Sequence, residues 1–532
     1  MPNDISIPPV RSDVTVADTG NTRFPWALVD PLRGATLGLD AIGRAVVQAL
    51  SRPRTAVEVL GVVHQSGEGR LEPGLLFKHV GHLARSGFLE GARAARLRRL
   101  HGAPSEAEAT TAAAELPFDY LPGLQHACQA CGSCCSATDV GPIPRAVADE
   151  ILKVDWTRHI DGLERKEDVF RRGSHEGREI LLTAMRHDQC IFLGSDKLCL
   201  VHKTIGMAKK PTPCRQFPYV FARTGDRVSV SLQMECRAYW KAKQAAAPMA
   251  EGEDELRELL RSGAPVHVVP DVIPLDAGFT LSRDEYLALE RTVVEAVRAA
   301  DPKLGPYAPL VGLGRGIDAA LSALMDDVSL EEAAYLEPAA WRRVFPGAAG
   351  ADVDPWENFL RELSRFCERV DTFTREGAEV AAERKLPWLA QRLDLFGRAV
   401  KSLSDEVEPG SFRASDTAAV RGVLEDLIVS ALFAKEAVRR TGTLRLGLAL
   451  VGFRALVTFH GACRRAKEAC RVEVHTQDVI DTMVTISKML RERAVVDLLS
   501  ELEKPLISLF STNLEVFAHE SAPRLHAPGG LR

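Results

Sequence analysis

Eight of the chain's eleven cysteines fall between residues 128 and 236, and that crowding constrains the fold more than any other feature of the 532 residues. They stand at Cys128, Cys131, Cys134, Cys135, Cys190, Cys199, Cys214 and Cys236. Cys367, Cys463 and Cys470 are scattered over helical patterns and read as ordinary core or surface residues. No basic patch followed by an apolar run marks the N-terminal residues, so a cytoplasmic, reducing setting is the expectation. In such a setting, clustered thiols read as metal ligands or redox groups rather than as a disulfide framework.

Cys128, Cys131 and Cys134 are spaced C-x2-C-x2-C, which lets one tight loop wrap three thiolates around a centre while a fourth arrives from elsewhere. Gly132 supplies the backbone freedom that such a loop needs. In extended backbone, adjacent side chains point apart, so one of Cys134 and Cys135 is expected to turn toward a second site or the core. The C-x3-C-x2-C loop of radical S-adenosylmethionine enzymes is not present. Around Cys190 and Cys199 apolar residues alternate with sulfur, and residues 194–197 read as the turn between them. Prolines at 211, 213 and 218 fix the backbone on both sides of Cys214. A hairpin of 219–222 with 228–232 then carries the chain to Cys236. Eight thiolates suffice for two four-cysteine sites, or for one site plus structural cysteines. A buried tetrathiolate carries negative charge and requires donors nearby. Arg215 is the leading donor candidate, with Lys210, Lys203 and Lys209 behind it. His202 reads as a neighbour of the centre, with ligation as the lesser alternative. A single run of x2 spacings leans toward a [4Fe–4S] cluster, with zinc as the alternative.

The pattern C-x2-C-G-x-C-C, then C-I-F-L, L-C-x2-H and K-P-x-x-C-R-x-F-P, resembles the YkgJ-type cysteine-cluster family of zinc- or iron-chelating domains. That family also embraces the flagellin lysine N-methylases (FliB-like). The resemblance implies that the seven motif cysteines from Cys128 to Cys214 are ligands, with Cys236 the last member and Arg215, Phe217 and Pro218 completing the signature. It also implies modification of a peptide or protein side chain with S-adenosylmethionine as co-substrate. The alternative is a non-enzymatic metal-binding protein, structural or redox-sensing, whose helical part binds a partner. No catalytic residue stands out.

Ahead of this module, residues 26–29 and 35–39 flank Asp30-Pro31-Leu32-Arg33-Gly34 as a small hairpin. Asp40 caps a helix carrying Ile42, Val46, Val47 and Leu50, and Thr55 with Glu58 opens a second. A third, with Leu76, Val80 and Leu83, ends at Gly87 before a short strand over 88–90. Two strands, three helices and a closing strand make a winged-helix unit. Its wording over 23–91 resembles the PqqD-like family, which implies that a peptide or protein docks as an added strand beside the hairpin. The third helix is too thinly basic for DNA, and the net charge of −5 gives no reason to expect nucleic acid. The basic run from Arg93 to Arg99 reads as a solvated helix end.

From Ser282 onward the periodicity is helical. Ser282 with Glu285 forms a capping box, Asp354 precedes Pro355 at a helix start, and further helices are expected over 377–402, 416–440, 444–470 and 476–503. Gly312, Gly314 and Gly316 read as a turn at a helix start rather than as a nucleotide loop. The apolar stretch 444–459 is too short to cross a membrane, and no membrane partner is expected. The expected fold is mainly α, α+β overall. It comprises a tail over 1–22, the winged-helix unit over 23–91, a linker over 92–122, the cysteine module over 123–245, a connector over 246–280, a large helical domain over 281–515, and a tail over 516–532.

Overall fold

The computed structural model describes residues 5–512 apart from 68–70, 103–111, 137–139, 176–177, 188, 243–247, 277, 337–342, 345–354, 385–386, 404–412, 415, 440–441 and 491–492. The expected tail over 516–532, the cap at Asp354 and residues 103–111 of the 92–122 linker lie outside the described residues. The class is mainly α with several small sheets, an α+β chain, as the periodicity predicted.

The first elements are Ser6–Ile7 (β1), Thr15–Asp18 (β2), Trp26–Asp30 (β3), Ala35–Leu39 (β4), Ala41–Ala49 (α1), Arg54–Thr55 (β5), Ala56–Gln65 (α2) and Pro73–Arg85 (α3). Their starts are chemically local. The Asp40 side chain accepts from Gly43 N, and both halves of the Thr55–Glu58 capping box are made. β3 and β4 form the expected hairpin, and the apolar faces of the three helices close over it in a core of their own, with Leu28, Val46, Val59, Val63, Leu76 and Val80.

Residues 5–18 are not the loose tail expected of them. β1 pairs with β5, β2 pairs with β3, and Ile5 and Ile7 are buried. Arg11 reaches Asp30 with neither side chain exposed. Such short segments carry no periodicity, because what orders them is a partner strand elsewhere in the chain. The basic run is also a correction. It lies on Ala92–Gly102 (α4), where Arg96 Nε donates to the Thr280 carbonyl at 2.8 Å and the guanidinium pairs with Glu285. Arg98 pairs with Glu90 at 2.7 Å and with Asp13 at 2.9 Å. These arginines dock α4 rather than solvate it. The strand expected over 88–90 shrinks to a single bridge, Val10 to Leu89.

The middle of the chain runs through strands Phe118–Tyr120 (β6), Phe170–His175 (β7), Arg178–Thr183 (β8), Met185–Arg186 (β9), Gln189–Cys190 (β10), Tyr219–Arg223 (β11), Val228–Leu232 (β12) and Val266–Val268 (β13). Its helices are Arg145–Ile151 (α5), Leu200–Ile205 (α6), Thr212–Gln216 (α7), Arg237–Ala242 (α8) and Glu253–Arg261 (α9). The expected hairpin β11–β12 is present, and β13 and β6 flank it in parallel to give the order β13-β11-β12-β6. Two separate cores meet here. Ile151, Trp156, Val169, Phe192, Val201 and Cys190 form a small one, whereas the four-stranded sheet belongs to a large core shared with the C-terminal helices.

In the C-terminal half, Ser282 and Glu285 cap Arg283–Arg298 (α10) reciprocally. Gly312 and Gly316 lie inside Ala308–Leu336 (α11) and not in a turn. They let α11 approach α10 closely. A methyl group on Gly312 would meet the Ala296 carbonyl at 2.5 Å, and one on Gly316 would meet Val293 Cα at 2.7 Å. Gly312→Ala is therefore expected to cost about 1–3 kcal/mol through overpacking. Gly422→Ala, in the helix Thr417–Phe433 with nothing within 4 Å, should gain about 0.5–1 kcal/mol. Urea unfolding of the two variants checks the opposite signs. The helix Leu444–Glu468 closely matches the one expected over 444–470, and by length and composition it could cross a membrane. Its apolar window is 94% buried against neighbouring helices, which makes it the central strut of the large core.

Candidate metal centre

Five of the eight clustered cysteines line one cavity of about 270 Å³, namely Cys134, Cys135, Cys190, Cys199 and Cys214, with Lys210 at its wall. Each is placed by a different piece of local structure. Gly132, at φ +69°, turns the chain into a single 3-10 turn that carries Cys134 and Cys135. Cys190 ends β10, Cys199 is the residue before α6, and Leu193 bridges to Cys199 across the expected turn. Cys214 sits in α7, where its backbone N–H donates to the Pro211 carbonyl at 2.9 Å. Phe192 and Val201 come from the small core, and Phe217 packs against the large one. The cavity lies on the seam between the two cores.

The expectation that Cys134 and Cys135 diverge does not hold. In a 3-10 turn rather than extended backbone, their sulfurs lie 3.8 Å apart at the same cavity. The hydrogen bond from Cys135, with Lys210 nearby, holds Cys134 down at about 6 against the opposing effect of burial. The same bond, with burial, raises Cys135 well above an ordinary thiol. Burial also raises Cys190 and pushes Cys214 up to about 12. At neutral pH these four thiols carry essentially one negative charge, and a bound metal must expel the other protons. Metal uptake should therefore release protons and weaken as pH falls. Potentiometry during zinc addition checks this.

The donor set fits a thiophilic metal or cluster, and so do atoms left over around it. Gln233 Oε1, beside the cavity, and Arg215 Nε, next to Cys214, are buried without a hydrogen-bond partner. Among the described residues the Arg215 guanidinium otherwise donates to Thr212 Oγ1, at 3.4 Å. As the side chains lie, no three Cys, His, Asp or Glu donors among the described residues stand at single-ion spacing. The sulfurs ring a space rather than touch a point.

The remaining sequence candidates divide. Lys210 is at the cavity, whereas Lys203 pairs with Asp196 at 2.6 Å, Lys209 pairs with Glu150 at 3.5 Å, and His202 is exposed on α6. Cys128 and Cys131 are exposed, and Cys236 is buried beside His126 at 3.5 Å. Two residues at the cysteines had no place in the sequence reading. One is His126. The other is Lys488, on the helix Thr476–Met489, whose Nζ donates to the carbonyls of Ser133 and Ser136 at 3.1 Å each. Lys488 thus holds the turn that carries Cys134 and Cys135, and burial lowers it to about 8, so it stays mostly protonated at neutral pH. Lys488→Met is expected to weaken metal affinity about 10–100-fold, as loss of an outer support usually does, while leaving the helices folded. A chelator competition titration beside circular dichroism would separate the two effects.

A family model described as "Putative zinc- or iron-chelating domain" (CxxCxxCC) matches residues 127–243. No curated protein and no solved structure matches the chain. The match covers the cysteines that the fold gathers and supports zinc or iron chelation by this stretch; it does not extend to the N-terminal unit or the C-terminal helices.

Proposed function

We propose that the cavity of the cysteine cluster holds a [4Fe–4S] cluster, and that the chain uses it in modifying a peptide or protein side chain, in the manner of the flagellin lysine N-methylases. The observation that carries the reading is the ring of five sulfurs around one space on the seam between two cores. A single zinc with Zn–S of about 2.3 Å draws its thiolates to about 3.7 Å from one another. Five cysteines around about 270 Å³, with no three donors at single-ion spacing, suit a centre of several atoms better. Lys210 and Lys488 supply positive charge against the cluster's own, the first at the cavity and the second from behind the turn.

The N-terminal unit supports the substrate side of the proposal. In the sheet β2-β3-β4 the chain itself fills the β3 edge, and among the described residues the β4 edge is unpaired, where an extended peptide can add as a strand in the PqqD-like manner. S-adenosylmethionine is the proposed methyl donor, and a reducing cytoplasm is the proposed setting. A second reading, a redox-sensing protein without catalysis, is favoured by one observation. Lys488 connects the cysteine turn directly to the helical part, so a change at the centre would be felt there.

Anaerobic purification tests the centre. Stoichiometric iron and sulfide with a broad visible charge-transfer band are expected, and a colourless protein holding only zinc would remove the cluster. Calorimetry with S-adenosylmethionine on the same preparation tests the reaction. No heat of binding would leave the sensor and remove the methylase.

A further inference from the structure

We propose that the buried guanidinium of Arg454, in the C-terminal half, anchors a binding site for a short aliphatic carboxylate. Neither the metal reading of the cysteine cavity nor the reaction proposed for it bears on this site, which contains no cysteine.

The site is built on one face of the helix Leu444–Glu468, where Gly447, Leu450, Val451 and Arg454 recur at helical spacing. At Gly447 the missing side chain admits the backbone of the short helix Glu436–Arg439, because a methyl group there would overlap the Ala437 carbonyl. That approach sets Glu436 against Arg454. Leu490, at the end of the helix Thr476–Met489, closes the far side together with Val496 and Leu499 of the helix Arg493–Glu501. Between these helices lies a cavity of about 50 Å³ with aliphatic walls and two charged side chains, Arg454 and Glu436.

Arg454 is 6% exposed, and its guanidinium is only partly satisfied. Nη1 donates to Glu436 Oε2 at 2.9 Å. Nε and Nη2 are buried and, among the described residues, have no hydrogen-bond partner. Those two nitrogens share one edge of the planar fork, where their N–H bonds run parallel and match the two oxygens of a carboxylate. Buried charged donors are normally paired, so an unfilled edge beside a cavity points to an acceptor that sits in it. Glu436 already answers part of the guanidinium's charge, so the edge suits a monoanion, whereas a phosphate dianion would meet Glu436 as a like charge. The volume admits roughly four atoms the size of a water oxygen, which is the size of acetate or propionate and not of a long chain. Water is the competing occupant, but walls of leucine and valine offer few of the polar partners that ordered waters need.

The test uses the full chain in carboxylate-free buffer, with sodium propionate as the probe and saturation-transfer NMR on its methyl protons. A saturable signal is expected, displaced by acetate at least about tenfold more effectively than by propionamide or inorganic phosphate. Arg454→Met removes the fork and should abolish the signal. Arg454→Lys keeps the charge without the fork and should weaken binding about tenfold or more. Val496→Phe leaves Arg454 and its ion pair in place and fills the cavity, so it should abolish binding as well; it carries the test if circular dichroism shows Arg454→Met unfolded. No saturable signal in the unaltered protein would mean that water alone fills the cavity, and would overturn the site. A signal undiminished in both Val496→Phe and Arg454→Lys would put the probe elsewhere on the chain and overturn it too. Displacement by phosphate as readily as by acetate would overturn the carboxylate assignment.

Discussion

Cys199→Ser should strip the cavity of its metal and loosen the seam between the two cores. Cys199 precedes α6 and bridges to Leu193, so its sulfur ties the turn after Cys190 to the cavity. Serine keeps the shape but offers a hard, weakly acidic oxygen where a soft thiolate is needed. The binding free energy of a structural thiolate site is on the order of 10 kcal/mol, and in a module this short of apolar residues it is folding free energy as well. Among the described residues the small core has seven buried hydrophobic members, Cys190 among them, so it has little else with which to hold itself to the large one. Metal content per chain should fall by most of the cavity's share, and proteolysis within 140–210 should quicken. Cys367→Ser should leave metal content unchanged, because that thiol is buried among C-terminal helices and its sulfur donates to the Val400 carbonyl at 3.5 Å. Cys470→Ser, at an exposed position, should change neither metal nor stability. Equal metal in all three variants would remove the cavity as a centre.

What the sequence disclosed about this site, and what it hid, follow from the range of the interactions. Spacing along a few residues is local chemistry, so the C-x2-C-x2-C run, the turn over 194–197 and the caps at Asp40, Thr55 and Ser282 were legible. Direction was harder. The inference that Cys134 and Cys135 diverge assumed extended backbone, and a positive φ at Gly132 replaced it with a 3-10 turn. Partners remote in sequence were harder still. Lys488 lies 355 residues from Ser133, on an amphipathic helix where a lysine ordinarily faces water, and nothing near it distinguishes it. His126 did carry a signal, two residues before Cys128, but His202 stands inside the L-C-x2-H pattern and drew the attention instead. Residues 5–18 went unread for the same reason as Lys488. Their order comes from β5 and β3, which they meet only in the folded chain.

Arg11→Ala is expected to be the most destabilising single change in the N-terminal unit, at about 3–5 kcal/mol, because it strands a buried carboxylate. Arg11 Nη1 donates to Asp30 Oδ2 at 2.8 Å and to the Gly87 carbonyl at 3.1 Å, and Nη2 donates to Asp30 Oδ1 at 3.1 Å. Both side chains of the pair have 0% exposure, so water cannot replace the lost partner. Arg33 also holds Asp30, at 2.5 Å, but it does not make the bond to the Gly87 carbonyl by which Arg11 ties the hairpin to the residues after α3. Burial alone would raise the Asp30 carboxyl, and the hydrogen bonds from Arg11 and Arg33 overcome it and hold it below the usual carboxylate range. The sign of the pH dependence follows. With the folded value depressed, the stabilisation is fully present above the unfolded value of about 3.9 and is lost as pH falls through the folded one. Arg11→Ala should therefore remove part of the acid sensitivity of unfolding along with the stability. Arg145→Ala, whose partner Asp149 is 54% exposed, should change stability by under about 1 kcal/mol. The decisive comparison is the double variant Arg11→Met with Asp30→Leu. If stranding the charge is what costs, removing both partners should recover much of the loss; if packing by the arginine stem is what counts, the double variant should be no better than Arg11→Ala. Urea unfolding of the four proteins at pH 7 distinguishes the two, and repeating it below about pH 3.9 checks the acid sensitivity.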